Sequence, residues 1–126
     1  MAILRWAATT GLALSFLACG GSAPTPSPSP PVVGTTVTIT ANGVSPKNLQ
    51  ITPGARVTFV NSSAREHEMT SDPHPEHTDC PAINQVGVIV PGQSKETGNL
   101  NAVRTCGYHD HANAQNTSLQ GQITIQ

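Results

Sequence analysis

The sequence predicts an all-β fold, a sandwich or barrel in a single compact domain, and three observations carry that prediction. Five short segments rich in Val, Ile and Thr alternate apolar with polar residues, turn signals separate them, and no stretch sustains a helical period. In chain order the strands are expected at TTVTIT (35–40), LQIT (49–52), RVTFVN (56–61), VGVIV (86–90) and GQITIQ (121–126). Pro53-Gly54 and Pro91-Gly92 read as turns, since proline presets one turn angle and glycine tolerates the next. Beyond the N-terminal region the chain has only Phe59 and Tyr108 as aromatic residues, so the core must be aliphatic.

Three regions are expected in the 126 residues. Residues 1–19 contain a lone Arg5, an apolar run shorter than a membrane span, and Ala18-Cys19-Gly20, which together read as an export signal. Cys19 after small and apolar residues resembles a bacterial lipobox, which implies lipidation of Cys19 as the first mature residue; an ordinary signal cleaved near Ala23 is the alternative. Residues 20–34 include SAPTPSPSPP, a run that favours extended polyproline geometry and serves as a semi-rigid tether. Residues 35–126 form the folded domain. The expected location is therefore outside the cytoplasm, on a lipid anchor facing the periplasm or the cell exterior. Six scattered Lys and Arg and a net charge of -1 offer no basic stripe for nucleic acid.

All five histidines fall in two groups: His67, His74 and His77 in REHEMTSDPHPEHTDC, and His109 and His111 in RTCGYHDH. Imidazole and thiolate are the ligands copper and zinc prefer, and loops at one end of a β fold can bring the two groups together. Pro73 and Pro75 are expected to hold the insert extended, with His74 facing solvent and His77 tied to the course of Cys80. Glu66, Glu68, Asp72, Glu76 and Asp79 read as solvating charges that could also orient imidazoles.

The segment VSPKNLQITPGARVTFVNSSAREH resembles the first half of a cupredoxin, the family of plastocyanin, amicyanin and azurin, with Asn61 followed by His67. VPGQS, then RTCGYHDH and LQGQITIQ, resemble its second half. The resemblance covers residues 35–126 and implies a Greek-key β-sandwich that binds copper and transfers electrons to a redox partner protein. It implies His67, Cys106 and His109 as ligands, with His111 a rival for the second imidazole. Leu119 stands where the family has an axial Met, and Met69 is expected to pack in the core. Cys80 has no counterpart in the one-cysteine pattern.

Two readings of Cys106 stay open. If its thiolate is free, the domain is a blue-copper electron carrier. If Cys80 and Cys106 pair, as two cysteines in an exported domain commonly do, copper must be held by His67, His109 and His111, in a module that stores, delivers or senses it for a copper-handling partner. Strand alternation at His109-Asp110-His111 would place both imidazoles on one face. An enzyme is not expected: spacing shows neither a Ser-His-Asp triad nor paired carboxylates, and the bridging-His pattern of copper–zinc superoxide dismutation is missing.

Overall fold

A computed structural model describes residues 20, 21 and 23–126; residues 1–19, with the expected export signal and Cys19, lie outside the described residues. The strands are β1 (Val32–Val33), β2 (Thr36–Thr40), β3 (Gly43–Ser45), β4 (Asn48–Ile51), β5 (Thr58–Asn61), β6 (His67–Ser71), β7 (Gly87–Ile89), β8 (Ser94–Glu96), β9 (Arg104–Asp110) and β10 (Gly121–Ile125). One sheet has the spatial order β1-β4-β10-β9-β6-β7 and the other β3-β2-β5-β8. β2 runs parallel to β5, and β4 parallel to both β1 and β10; the remaining pairs are antiparallel. Neighbours distant in sequence produce the crossed connections of the expected β-sandwich. Helical content among the described residues is limited to 3₁₀ turns at Ile83–Val86, His111–Asn113 and Thr117–Leu119.

Alternation builds the core. Val37 and Ile39 of β2, Leu49 and Ile51 of β4, and Ile123 and Ile125 of β10 all turn inward. Each such side chain contributes about 1.5–3 kcal/mol on burial. Phe59 and Tyr108 come from opposite sheets and meet edge to face, with ring centroids 5.1 Å apart. Met69 is fully buried, in the packing role expected of it.

The five segments expected as strands coincide with β2, β4, β5, β7 and β10. RTCGYHD, expected as a ligand loop, is instead the seven-residue strand β9, hydrogen-bonded to β10 on one side and β6 on the other. β6 has the sequence HEMTS, whose His, Glu and Ser conceal its place in the sheet.

The insert between β6 and the first 3₁₀ turn also departs from expectation. Instead of running extended it folds back, with His77 N–H donating to Pro73 O at 2.7 Å and Asp79 N–H to Asp72 O at 2.9 Å. His77 takes a left-handed φ of 54°, which for a non-glycine residue costs about 1–2 kcal/mol and needs support from its surroundings. Asn84 gives that support: its Nδ2 donates to His77 O at 2.8 Å and its Oδ1 accepts from Ser71 N–H at 2.9 Å. These bonds lay the insert over the outer face of β9. At the other end of the chain, residues 23–31 are exposed and lack regular secondary structure, and Asn48 Nδ2 donates to Ser29 O at 2.7 Å.

Candidate metal centre

Register decides which side chains can meet. β6 and β9 pair with Met69 opposite Asp110, Thr70 opposite His109 and Ser71 opposite Tyr108. Successive side chains point to opposite faces of a sheet, so His67, Met69, Cys106, Tyr108 and Asp110 point inward, while Thr70, Gly107 and His109 point outward. The buried Met69, Cys106 and Tyr108 belong to the core, in keeping with that parity.

On the outer face, His109 is 2% exposed beneath the folded insert. Its Nδ1 donates to Asp72 Oδ1 at 2.6 Å, and its Nε2 lies 3.3 Å from Thr70 Oγ1. Gly107 makes this possible, because a Cβ there would collide with the Asp72 carboxyl group. His77 Nδ1 donates to Ser71 O at 2.8 Å, and its Nε2 lies 2.9 Å from His111 Nδ1. His74 completes the group, its ring centroid 5.4 Å from those of His77 and His109 and 5.2 Å from that of His111. One ring nitrogen from each of His74, His77 and His109 lies within 4.8 Å of the others.

This donor set fits a transition metal. A ligating imidazole must be neutral, and its second nitrogen is normally held by an acceptor that fixes tautomer and ring orientation. Asp72 does this for His109 and the Ser71 carbonyl does it for His77, which leaves Nε2 as the lone-pair nitrogen of each ring, beside His111 Nδ1 in His77 and beside Thr70 Oγ1 in His109. His74 has its pKa lowered, first by loss of hydration and then by the charges of His111, His109 and His77, which favours its neutral form. His111 is exposed at the rim.

Two expected ligands stand elsewhere. Cys106 is bonded to Cys80, with a Cα–Cα distance of 5.9 Å, so it presents no thiolate. The cause is again parity: Cys106 points inward from mid-strand, and the folded insert brings Cys80 to it. His67 is on the inner face, away from His109 and His111. Its Nδ1 donates to Asp110 Oδ2 at 2.9 Å, and its Nε2 meets Ser63 Oγ at 2.8 Å. Burial alone would raise the Asp110 pKa, but bonds from His67, the Glu68 N–H and Asn113, together with the His67 charge, bring it below the usual carboxylate range. Leu119, in the position expected of an axial Met, is buried and lines a pocket beside His67.

His109 and His111 were expected at the site, whereas His74, His77 and Asp72 were read as loop residues. The spacing His74-x-x-His77 just before a cysteine was the signal for them, and the prolines between masked it by suggesting an extended loop.

No protein-family model and no curated protein sequence matches the chain. Solved structures do. The chain resembles a purple cupredoxin from Nitrosopumilus maritimus with a TM-score of 0.55 and 18% identity over 74% of this chain and 100% of that one. A reduced amicyanin variant matches with a TM-score of 0.56 and 15% identity over 72% of this chain and 80% of that one. Oxidised plastocyanin from Dryopteris crassirhizoma matches with a TM-score of 0.56 and 12% identity over 72% and 99%. The chain therefore has the cupredoxin fold, as its sequence led us to expect.

Proposed function

We propose that this protein is a copper-binding module that holds the ion with imidazoles of His74, His77 and His109 on the outer face of the larger sheet, with His111 at the rim. The observation that carries the reading is the convergence of His74, His77 and His109, one ring nitrogen of each within 4.8 Å of the others, with His77 and His109 held at Nδ1 by Ser71 O and Asp72 Oδ1. Among divalent ions an imidazole set of this kind favours copper over zinc. An amicyanin variant of the same fold has been solved in its Cu(I) form. Copper bound here would lack sulfur ligation, which suits capture and delivery to a copper-handling partner better than blue-copper chemistry. The export signal, Cys19 lipid anchor and Pro-rich tether complete the proposal: the module works outside the cytoplasm, held off a membrane surface.

Titration of tag-free protein with Cu(II) tests the ligand set. Stoichiometric binding should be lost in His77→Ala and His109→Ala and kept in His67→Ala. Loss in His67→Ala with binding intact in His109→Ala would refute it. Electron transfer is a second reading, favoured by fold neighbours solved in oxidised and reduced states. A reversible one-electron wave from the copper-loaded protein would support it.

A further inference from the structure

The inner face carries an arrangement that the metal centre does not use. Ser63 Oγ lies 2.8 Å from His67 Nε2, and His67 Nδ1 lies 2.9 Å from Asp110 Oδ2. The chain order is Ser63, His67, Asp110, and the three side chains are linked end to end by hydrogen bonds. We propose that Ser63, His67 and Asp110 form a nucleophile, base and positioning carboxylate that hydrolyse small esters.

Each part of the arrangement is held by its surroundings. Asp110 is fully buried and held at both oxygens: Oδ1 accepts from the Glu68 and Ala112 N–H groups, and Oδ2 from Asn113 Nδ2 as well as His67. With a carboxylate on Nδ1, the neutral imidazole carries its proton there and presents a lone pair at Nε2 to the Ser63 hydroxyl. His67 itself is 6% exposed. The Ser63 proton has three acceptors within reach, His67 Nε2 at 2.8 Å, Asn61 Oδ1 at 2.8 Å and Arg65 O at 3.1 Å, and rotation of the hydroxyl selects among them.

Substrate access is present on the same side. Ser63 and His67 line a pocket of about 200 Å³ together with Thr40, Ala41, Asn116 and Leu119. This is smaller than a drug-sized site and suits a short acyl chain. Asn116, fixed by its Oδ1 accepting from the Ser118 N–H and hydroxyl, is on the wall of the same pocket.

The reaction balances with water alone. Ser63 Oγ attacks the ester carbonyl carbon as its proton passes to His67 Nε2. Collapse of the adduct expels the alcohol, which takes that proton, and leaves an acyl group on Ser63. Water then attacks the acyl carbon, giving its proton to Nε2, and Ser63 Oγ recovers the proton as the carboxylic acid leaves.

A fluorophosphonate provides the test on the metal-free, full mature protein. It should label Ser63, seen by peptide mass spectrometry, and labelling should be lost in Ser63→Ala. Hydrolysis of p-nitrophenyl acetate should fall about a hundredfold or more in Ser63→Ala and in His67→Gln. Asp110→Asn should lower kcat with KM unchanged, because Asp110 does not line the pocket. Ser63 is half-buried, and the urea unfolding midpoint of metal-free Ser63→Ala reports that its fold is intact. Absence of a Ser63 adduct on the folded protein, or equal hydrolysis by wild type and Ser63→Ala, would overturn the proposal. Because these readouts use metal-free protein, they fail or succeed independently of the copper site.

Discussion

Removing the disulfide separates its structural role from the ligand role that the sequence also allowed Cys106. The bond joins residues 26 apart in the chain, and loop-closure entropy for that separation gives about 3.5 kcal/mol of stabilisation. The other restraints on the insert survive its loss: Asn84 still holds His77 O and Ser71 N–H, and the Cys80 N–H still donates to Ser71 Oγ at 2.8 Å. Cys80→Ala/Cys106→Ala should therefore fold with stability lowered by about 3–4 kcal/mol, a fall in Tm of roughly 12–32 °C for a domain of this size. Urea unfolding of the metal-free protein measures the loss, and Cu(II) titration below the transition measures the site. Copper capacity should persist, since the proposed ligands His74, His77 and His109 include no sulfur. An unchanged urea midpoint, or a folded variant that no longer takes up copper, would refute the reasoning.

Three further outcomes follow from the same geometry. Asp72→Asn leaves the ligands in place but weakens the acceptor that orients His109, and Cu(II) affinity should fall about 10–100-fold by competition titration. Gly107→Ala should do the same by pushing the Asp72 carboxyl group off the strand, with unfolding by urea little changed for a site this close to the surface. Asp110 has a folded-state pKa below its unfolded value, so its stabilisation is present above the ordinary carboxylate range and lost as pH falls through the folded pKa. The stability gap between wild type and Asp110→Asn should thus be widest near neutral pH and close in acid; a gap that widens below pH ~4 would contradict this sign.

The parts of the fold legible in the sequence are those where one face is apolar. TVTIT and GQITI announce β2 and β10 because their Val and Ile residues alternate with Thr and Gln. β9 was hidden for the opposite reason: its inward residues are Cys106, Tyr108 and Asp110, and its outward ones Gly107 and His109, so chemistry rather than hydrophobicity fills both faces. The candidate site suffered from the same mixture. His109 and His111 stand out by composition, but the division of His67 from His109 depends on a register between β6 and β9 that places them on opposite faces. No local pattern encodes that register. The Ser63-His67-Asp110 arrangement was equally invisible, since Asp110 lies 43 residues from His67 and meets it only through the same strand pairing.

The central claim is that imidazoles alone hold copper on the outer face of the sheet. X-ray absorption at the copper edge of the loaded wild-type protein tests it most directly. The account predicts a shell of nitrogen scatterers with imidazole outer-shell features and no sulfur, and no intense thiolate-to-copper band in the visible spectrum. A copper–sulfur distance in the first shell, with the strong visible band that accompanies it, would contradict the account and return Cys106 to the ligand set.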